Sequence, residues 1–202
     1  MKIAIIGAGN VGATLGKRFA DVGYEIVFGV ANPDKYVDSE LAGKITKVSE
    51  AANESAIILL AVPFNAVSDV LKSCGDVSGK IIIDATNPLG MTENGLGLTL
   101  GFEISGAEKV AEVATNAKVV KCFNQTGAEN MANPNGSMMF VCGDDSDAVE
   151  TVRKLAEKIG FEAIGFGKLK QARLLEPLAM IWIHLAINLK KGRNFTFKIQ
   201  RS

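Results

Sequence analysis

The 202-residue sequence has one histidine, one tryptophan, five prolines and three cysteines, and no excess of charge of either sign. Each shortage excludes something. With His184 as the only imidazole, a Ser-His-Asp triad or a histidine-rich metal site has almost nothing to work with, and no metal is expected. Cys74, Cys122 and Cys142 are odd in number, far apart and without a Cys-x-x-Cys pair, so neither a disulfide framework nor a zinc site is expected, and a reducing, cytoplasmic setting fits. The 22 basic residues are matched by 22 acidic ones, which leaves no electrostatic footprint for nucleic acid and no polybasic face for a membrane. Long apolar runs are missing too. The oiliest late stretch, Leu174 to Leu189, carries Glu176, Pro177 and His184 and reads as a buried helix rather than a membrane span. Met1 leads straight into an apolar, strand-like run instead of a basic segment with a cleavage site, so no secretory leader is expected.

What the chain does have is apolar substance. Hydrophobic residues make up 48% and charged ones 22%, which excludes disorder and supports one substantial core, a single domain over 1–202. The mean hydropathy of +0.20 is oily for a charge-balanced protein and suggests a buried subunit contact, most simply a homodimer.

Strand and helix patterns alternate from the start. Lys2 to Ile6 is a β-branched run ended by glycine, Val11 to Val22 a helix, and Tyr24 to Phe28 a second strand. Ile57 to Val62, Lys80 to Asp84, Lys118 to Phe123 and Met138 to Cys142 continue the series, with a weaker strand at Lys44 to Val48. Ser146 to Ile159 carries a one-sided apolar stripe behind the acidic start Asp144 and Asp145. This succession predicts an α/β fold with a doubly wound, mostly parallel sheet, and residues 168–202 as a C-terminal helical extension. Two segments, Asn87 to Gly106 and Gln125 to Ser137, read as loops leaving the carboxyl ends of strands, where open α/β sheets place ligands.

Gly7, Ala8, Gly9, Asn10, Val11 and Gly12 follow the first strand and open the first helix, the context that makes a Gly-x-Gly-x-x-Gly pattern a Rossmann-type dinucleotide fingerprint. Gly7 permits the tight turn, Gly9 lets a pyrophosphate approach bare backbone, and Gly12 lets helix and sheet pack closely, with free amides at the helix start for the anionic oxygens. The second strand ends in Gly29, Val30, Ala31, Asn32 without a carboxylate for a ribose hydroxyl, which favours NADP over NAD while leaving NAD possible. Asn32 and Lys35 are candidates for the 2′-phosphate, against the alternative of a plain solvated turn. Ala61, Val62 and Pro63, and Asn87 and Pro88, close two further strands with prolines at the same edge, and those turns are expected to flank a nicotinamide. Asn124 and Thr126, after another strand, are candidate hydrogen-bond partners of the nicotinamide amide or of the acceptor. His184 reads as a packed, hydrogen-bonded structural residue, with a role at the ring cleft as the alternative, Met180 and Trp182 as core or dimer contacts, and Arg193 and Asn194 either as anion contacts or as part of a loose terminus.

Taken together, the opening Ile5 to Gly12, the segments Leu60 to Pro63, Asp84 to Pro88, Val120 to Asn124 and Phe140 to Asp144, and the tails Leu175 to Leu185 and Gly192 to Lys198 resemble the coenzyme F-420-dependent NADP oxidoreductases and the small dinucleotide-binding enzymes related to them. A fainter resemblance reaches the cytosolic reductase domains of membrane metalloreductases. The resemblance implies an NADP(H) site whose nicotinamide faces a flavin or deazaflavin-like small-molecule acceptor such as coenzyme F-420. Hydride transfer between stacked rings needs positioning rather than acid–base chemistry, so no catalytic side chain is expected. Relatives of this kind often carry an arginine near the position held here by Ala31, a departure that bears on phosphate recognition. A non-catalytic NADP(H) sensor is the alternative. A β-hydroxyacid or imine reductase would need a helical substrate domain for which the chain barely has length.

Overall fold

The computed structural model of the chain describes residues 1–41, 43–93 and 95–200. In chain order the regular elements are β1 (Lys2–Ile6), α1 (Asn10–Asp21), β2 (Glu25–Val30), β3 (Lys44–Lys47), α2 (Val48–Asn53), β4 (Ile57–Leu60), α3 (Val67–Cys74), β5 (Ile81–Asp84), β6 (Leu89–Thr92), β7 (Gly95–Leu98), α4 (Gly106–Val113), β8 (Lys118–Lys121), α5 (Ala128–Ala132), β9 (Met138–Gly143), α6 (Ser146–Lys158), β10 (Glu162–Gly165) and α7 (Ala172–Ile183). Eight strands form one sheet in the order β10-β9-β8-β5-β4-β1-β2-β3. Every neighbouring pair is parallel except β8 with β9. The fold is the expected Rossmann-type α/β architecture.

Continuous apolar strands are what a sheet covered on both faces requires. Ile3, Ile5, Phe28, Leu59 and Ile83 point to one side, where they meet Leu15 and Phe19 of α1 and Val152 and Leu155 of α6. Ala4, Ile6, Ile58, Leu60 and Ile82 point to the other and meet Ala51 of α2, Leu71 of α3, Val110 of α4 and Leu175 of α7. The chain runs outward from β1 through β2 to β3, then returns to start β4 on the opposite flank of β1. The strand order therefore reverses between β1 and β4, and the crevice beyond their carboxyl ends is the place such sheets offer to a ligand.

The structure departs from the sequence reading in several places. The segment from Asn87 to Gly106 contains the antiparallel β6–β7 hairpin, whose glycine-rich strands carry little alternation to betray them. β10 is a short edge strand, and α5 forms inside the Asn- and Gly-rich stretch after β8. β8 stops at Lys121 because Phe123, fully buried, takes a left-handed backbone (φ 61°) and turns the chain out of the sheet. The C-terminal extension is helical only through α7 and a π-type turn over His184–Asn188. The irregular tail beyond it is tied down rather than loose: Asn130 Nδ2 donates to the carbonyls of Arg193 (2.9 Å) and Phe195 (3.0 Å), Trp182 Nε1 donates to Phe195 O (2.9 Å), and Met138 N donates to Phe197 O (3.1 Å).

Candidate functional site

The turn between β1 and α1 is built by its glycines. Gly7 has φ 105°, and a Cβ there would stand 2.5 Å from Ala61 O and 2.9 Å from Val62 Cγ1, so the turn presses directly on the end of β4. Gly7 N also donates to Gly29 O, which fastens the turn to β2. A Cβ on Gly12 would meet Gly7 O at 2.1 Å. Gly9 differs: nothing lies within 4 Å of the position its Cβ would occupy. It is the N-cap of α1 and offers no side-chain cap. The first-turn amides of Asn10, Val11 and Gly12 have no intrahelical carbonyl to meet. Open space, bare amides and the positive end of a helix dipole together fit a diphosphate. Ala8 and Val11 are half-buried beside them, while Gly9 and Asn10 are exposed.

Beyond β2 the chain enters a short 3-10 turn, Pro33–Tyr36, which Asn32 caps by accepting a hydrogen bond from Asp34 N at 3.1 Å. The capping oxygen is thereby committed, and the amide nitrogen of Asn32 and the ammonium of Lys35 remain at the surface as donors, with Ala31 exposed between them and the strand. Asp34 belongs to this turn and not to the strand end, so no carboxylate closes β2.

Ala61 and Val62 are half-buried where β4 leaves the sheet, and Pro63 is exposed. The turn after β5 is braced from below. Asn87 and Asn124 form a reciprocal pair: Asn124 Nδ2 donates to Asn87 Oδ1 (3.0 Å) and Asn87 Nδ2 to Asn124 O (2.9 Å). Asn124 Nδ2 also reaches Leu175 O (3.3 Å), and its Oδ1 accepts from Gln125 Nε2. Its side chain thus has every polar end occupied within the protein. That makes it a brace for Asn87 rather than a free contact to a ring. Pro88 is buried, and its carbonyl accepts from Thr99 N (2.8 Å) at the end of the hairpin. Thr126 is half-buried; its hydroxyl accepts from Asn130 Nδ2 and keeps its own proton to donate.

Beneath this turn lies a cluster the sequence reading missed. Lys121 is completely buried, and its Nζ donates to Asp84 Oδ2 (2.9 Å), Glu176 Oε1 (2.9 Å) and Thr86 O (2.6 Å). Asp84 Oδ1 accepts from Thr86 N and Thr86 Oγ1. Glu176 also accepts from Gly106 N and Ala107 N, the first amides of α4. Burial pulls the Lys121 pKa down, but the charges and hydrogen bonds of Asp84 and Glu176 outweigh it and hold the ammonium protonated above its ordinary value. The signal was present: Lys121, Asp84 and Glu176 each interrupt an apolar run, and Asp84 and Lys121 are register partners in β5 and β8.

Next to Thr99 an apolar groove of about 600 Å³ opens between the hairpin's exit and α7, lined among others by Leu98, Phe102, Pro177, Met180, His184 and Leu185. His184 is exposed on this groove, with Asn188 Nδ2 3.3 Å from its Nδ1, which corrects its reading as a packed structural residue and puts it on the groove. Met180 lines the same groove, whereas Trp182 is buried and stacked on Phe195. Arg193 is held by Glu129 (2.7 Å) over the Trp182 ring. The three cysteines are buried thiols, and burial pushes Cys74 up to about 11 and Cys142 to about 12. Among the described residues, no three His, Cys, Asp or Glu side chains gather as a metal site, and no helix is long and apolar enough to cross a membrane.

Comparison with known proteins meets this geometry from outside. Residues 2–88 match the family model for NADP oxidoreductases, coenzyme F420-dependent. The F420-dependent NADP reductase of Methanocaldococcus jannaschii is 29% identical over 213 residues, covering 94% of each chain. Metalloreductase STEAP3 of Rattus norvegicus is 30% identical over 184 residues, 89% of this chain, but the match spans only 36% of that longer protein. A crystal structure from Arthrobacter sp. FB24, of a protein proposed to be an F420-dependent NADP reductase, superposes with a TM-score of 0.91 at 28% identity over all of both chains. Over residues 2–88 the chain is similar to the family of coenzyme F420-dependent NADP oxidoreductases, and its likeness to the Methanocaldococcus jannaschii reductase and to the Arthrobacter structure extends over nearly its whole length.

Proposed function

We propose that this protein binds NADP(H) across the β1–β4 crevice and passes hydride between its nicotinamide and a flavin or deazaflavin-like ring seated in the apolar groove beside α7. The observation that carries the reading is the contrast between Gly9 and its neighbours. The methyl space at Gly7 and at Gly12 is filled by protein, and at Gly9 it is empty, directly before the free amides of α1. On this reading Gly9 to Gly12 hold the diphosphate, Asn32 and Lys35 reach the 2′-phosphate, and the turns at Ala61 to Pro63 and Thr86 to Pro88 flank the nicotinamide. Bound NADPH supplies a hydride, and the acceptor ring takes it up with a proton from solvent. The protein's part is to fix two planes at reacting distance and keep water from between them, which an apolar wall of Leu98, Phe102 and Met180 suits.

The proposal extends to a cytoplasmic homodimer: Met91, Phe102 and Ile181 are large, apolar and more than half exposed around the hairpin and α7. Calorimetry with NADPH and NADH, followed by anaerobic assays of NADPH oxidation with coenzyme F-420, FMN and riboflavin, tests the function. Binding with turnover of one ring acceptor is expected. Absence of binding by either nicotinamide nucleotide overturns the reading, and tight binding with no turnover on deazaflavin, flavin, quinone or ferric acceptors replaces it with the redox sensor.

A further inference from the structure

The chain also holds a buried cation that the hydride chemistry does not use. We infer that Lys121 is a positioning residue for the nicotinamide end of the site, holding the turn after β5 in its binding shape through Asp84, Thr86 and Glu176. The inference rests on the cofactor reading above.

An ammonium has three protons to give, and Lys121 gives all three inside the protein, to one carbonyl and two carboxylates between 2.6 and 2.9 Å away. Nothing is left for a substrate, so any effect on the reaction must pass through these partners. The partners join two borders of the site. Thr86 O is in the turn itself, and Asp84 grips the amide and hydroxyl of the same Thr86. Glu176 lies in α7, one wall of the groove, and its carboxylate carries the first two amides of α4. Gly106, the first of these, is packed so closely that a Cβ would meet Phe64 Cε2 at 2.9 Å and Pro88 Cδ at 3.3 Å. One buried nitrogen therefore sets the relative place of the turn, the start of α4 and α7.

A pure stability role explains this less well. Burying ions is costly, and apolar replacements of such clusters are often neutral or stabilising. Direction is what the cluster adds: two carboxylates on one ammonium fix where Thr86 O points, as apolar packing would not.

The test uses the full chain and two ligands, NADP⁺ and 2′,5′-ADP, which keeps the adenosine, the 2′-phosphate and the first of the two bridging phosphates but lacks the second phosphate and the nicotinamide riboside. Calorimetry and thermal melts are run on wild type, Lys121→Met and, should that variant fold poorly, Glu176→Gln, which keeps shape and removes one charge. The expected result is 2′,5′-ADP affinity within about twofold of wild type while NADP⁺ affinity falls about tenfold, the size of one hydrogen bond lost at the ring. If the ratio of the two affinities stays at its wild-type value, whether both hold or both fall with the melting temperature, positioning is overturned and the cluster is structural. A wild-type protein that binds neither ligand overturns the cofactor reading itself, and this inference with it.

Discussion

A Cβ on Gly12 would stand 2.1 Å from the carbonyl oxygen of Gly7, backbone against backbone, whereas one on Gly9, three residues earlier, would touch nothing. On the proposed reading the two glycines of one motif serve different ends, Gly12 packing and Gly9 a ligand. Gly12→Ala should destabilise the fold by about 2 kcal/mol or more, since neither partner in the contact is a flexible side chain, and this will show as a lowered melting temperature. Gly9→Ala, whose backbone (φ −75°, ψ −173°) suits alanine, should melt within about 2 °C of wild type and yet bind NADPH at least about tenfold more weakly, because the methyl enters the diphosphate space. Equal loss of binding and stability in both variants would show that Gly9 has no ligand to itself.

Much of this site was legible in advance because its signals are local. Gly7 to Gly12, the missing carboxylate after Val30 and the proline stops at Pro63 and Pro88 lie within a few residues of the strands they end, so pattern and chemistry coincide in the sequence. The parts that stayed hidden depend on distance. Asn124 reads as a candidate partner of the nicotinamide or the acceptor until Asn87, 37 positions earlier, is seen to take its amide. Lys121 needs a strand at Asp84 and a helix at Glu176 before its charge makes sense. His184 was misread for the opposite reason: its flanks Ile183 and Leu185 are apolar, but the hydrophobic character belongs to a groove rather than to the core. The β6–β7 hairpin escaped because Gly90, Gly95 and Gly97 leave so few side chains to alternate.

Ala31 is exposed at the end of β2 beside the surface donors of Asn32 and Lys35. An arginine there adds a planar, bidentate donor aimed at the same anion. Ala31→Arg should tighten NADPH relative to NADH by about tenfold, the scale of one charge-assisted hydrogen bond. Paired fluorescence titrations with the two reduced nucleotides read the ratio; a ratio that stays put or drops places the 2′-phosphate elsewhere.

Glu108 ties α4 to α7. It accepts from Arg173 Nε (2.9 Å) and Nη2 (2.6 Å) and closes a capping box with Ser105. The Arg173 guanidinium, with Ser105, lowers its pKa from 4.5 to about 2. A carboxylate depressed in the folded state adds stability that is complete above its unfolded pKa and disappears as pH falls through the folded one. Glu108→Gln should therefore cost about 1 kcal/mol near neutrality, discounted for the pair's partial exposure. The gap between the wild-type and variant melting temperatures should then shrink between pH 4.5 and about 2. Melts across that range provide the measurement, and a gap that does not change with pH would deny the carboxylate this role.

The apolar groove supplies the sharpest test of where the acceptor sits. Met180 lines it from α7 and is half-buried, on the opposite side from Leu98 and Phe102 of the hairpin's exit. A tryptophan at 180 fills part of the roughly 600 Å³ with a rigid ring without touching the glycine turn, whose neighbours are Ala61, Val62 and Ile5. Met180→Trp should raise the KM for the ring acceptor several-fold while the Kd for NADPH moves by less than about twofold, the pattern of lost uniform binding for one substrate alone. The converse matters equally. If NADPH affinity falls in step with the acceptor's, the groove belongs to the nicotinamide half of the cofactor, and the acceptor must approach the opposite face, past Pro63. If neither moves, the ring lies outside the groove, and His184 and its apolar neighbours serve another contact.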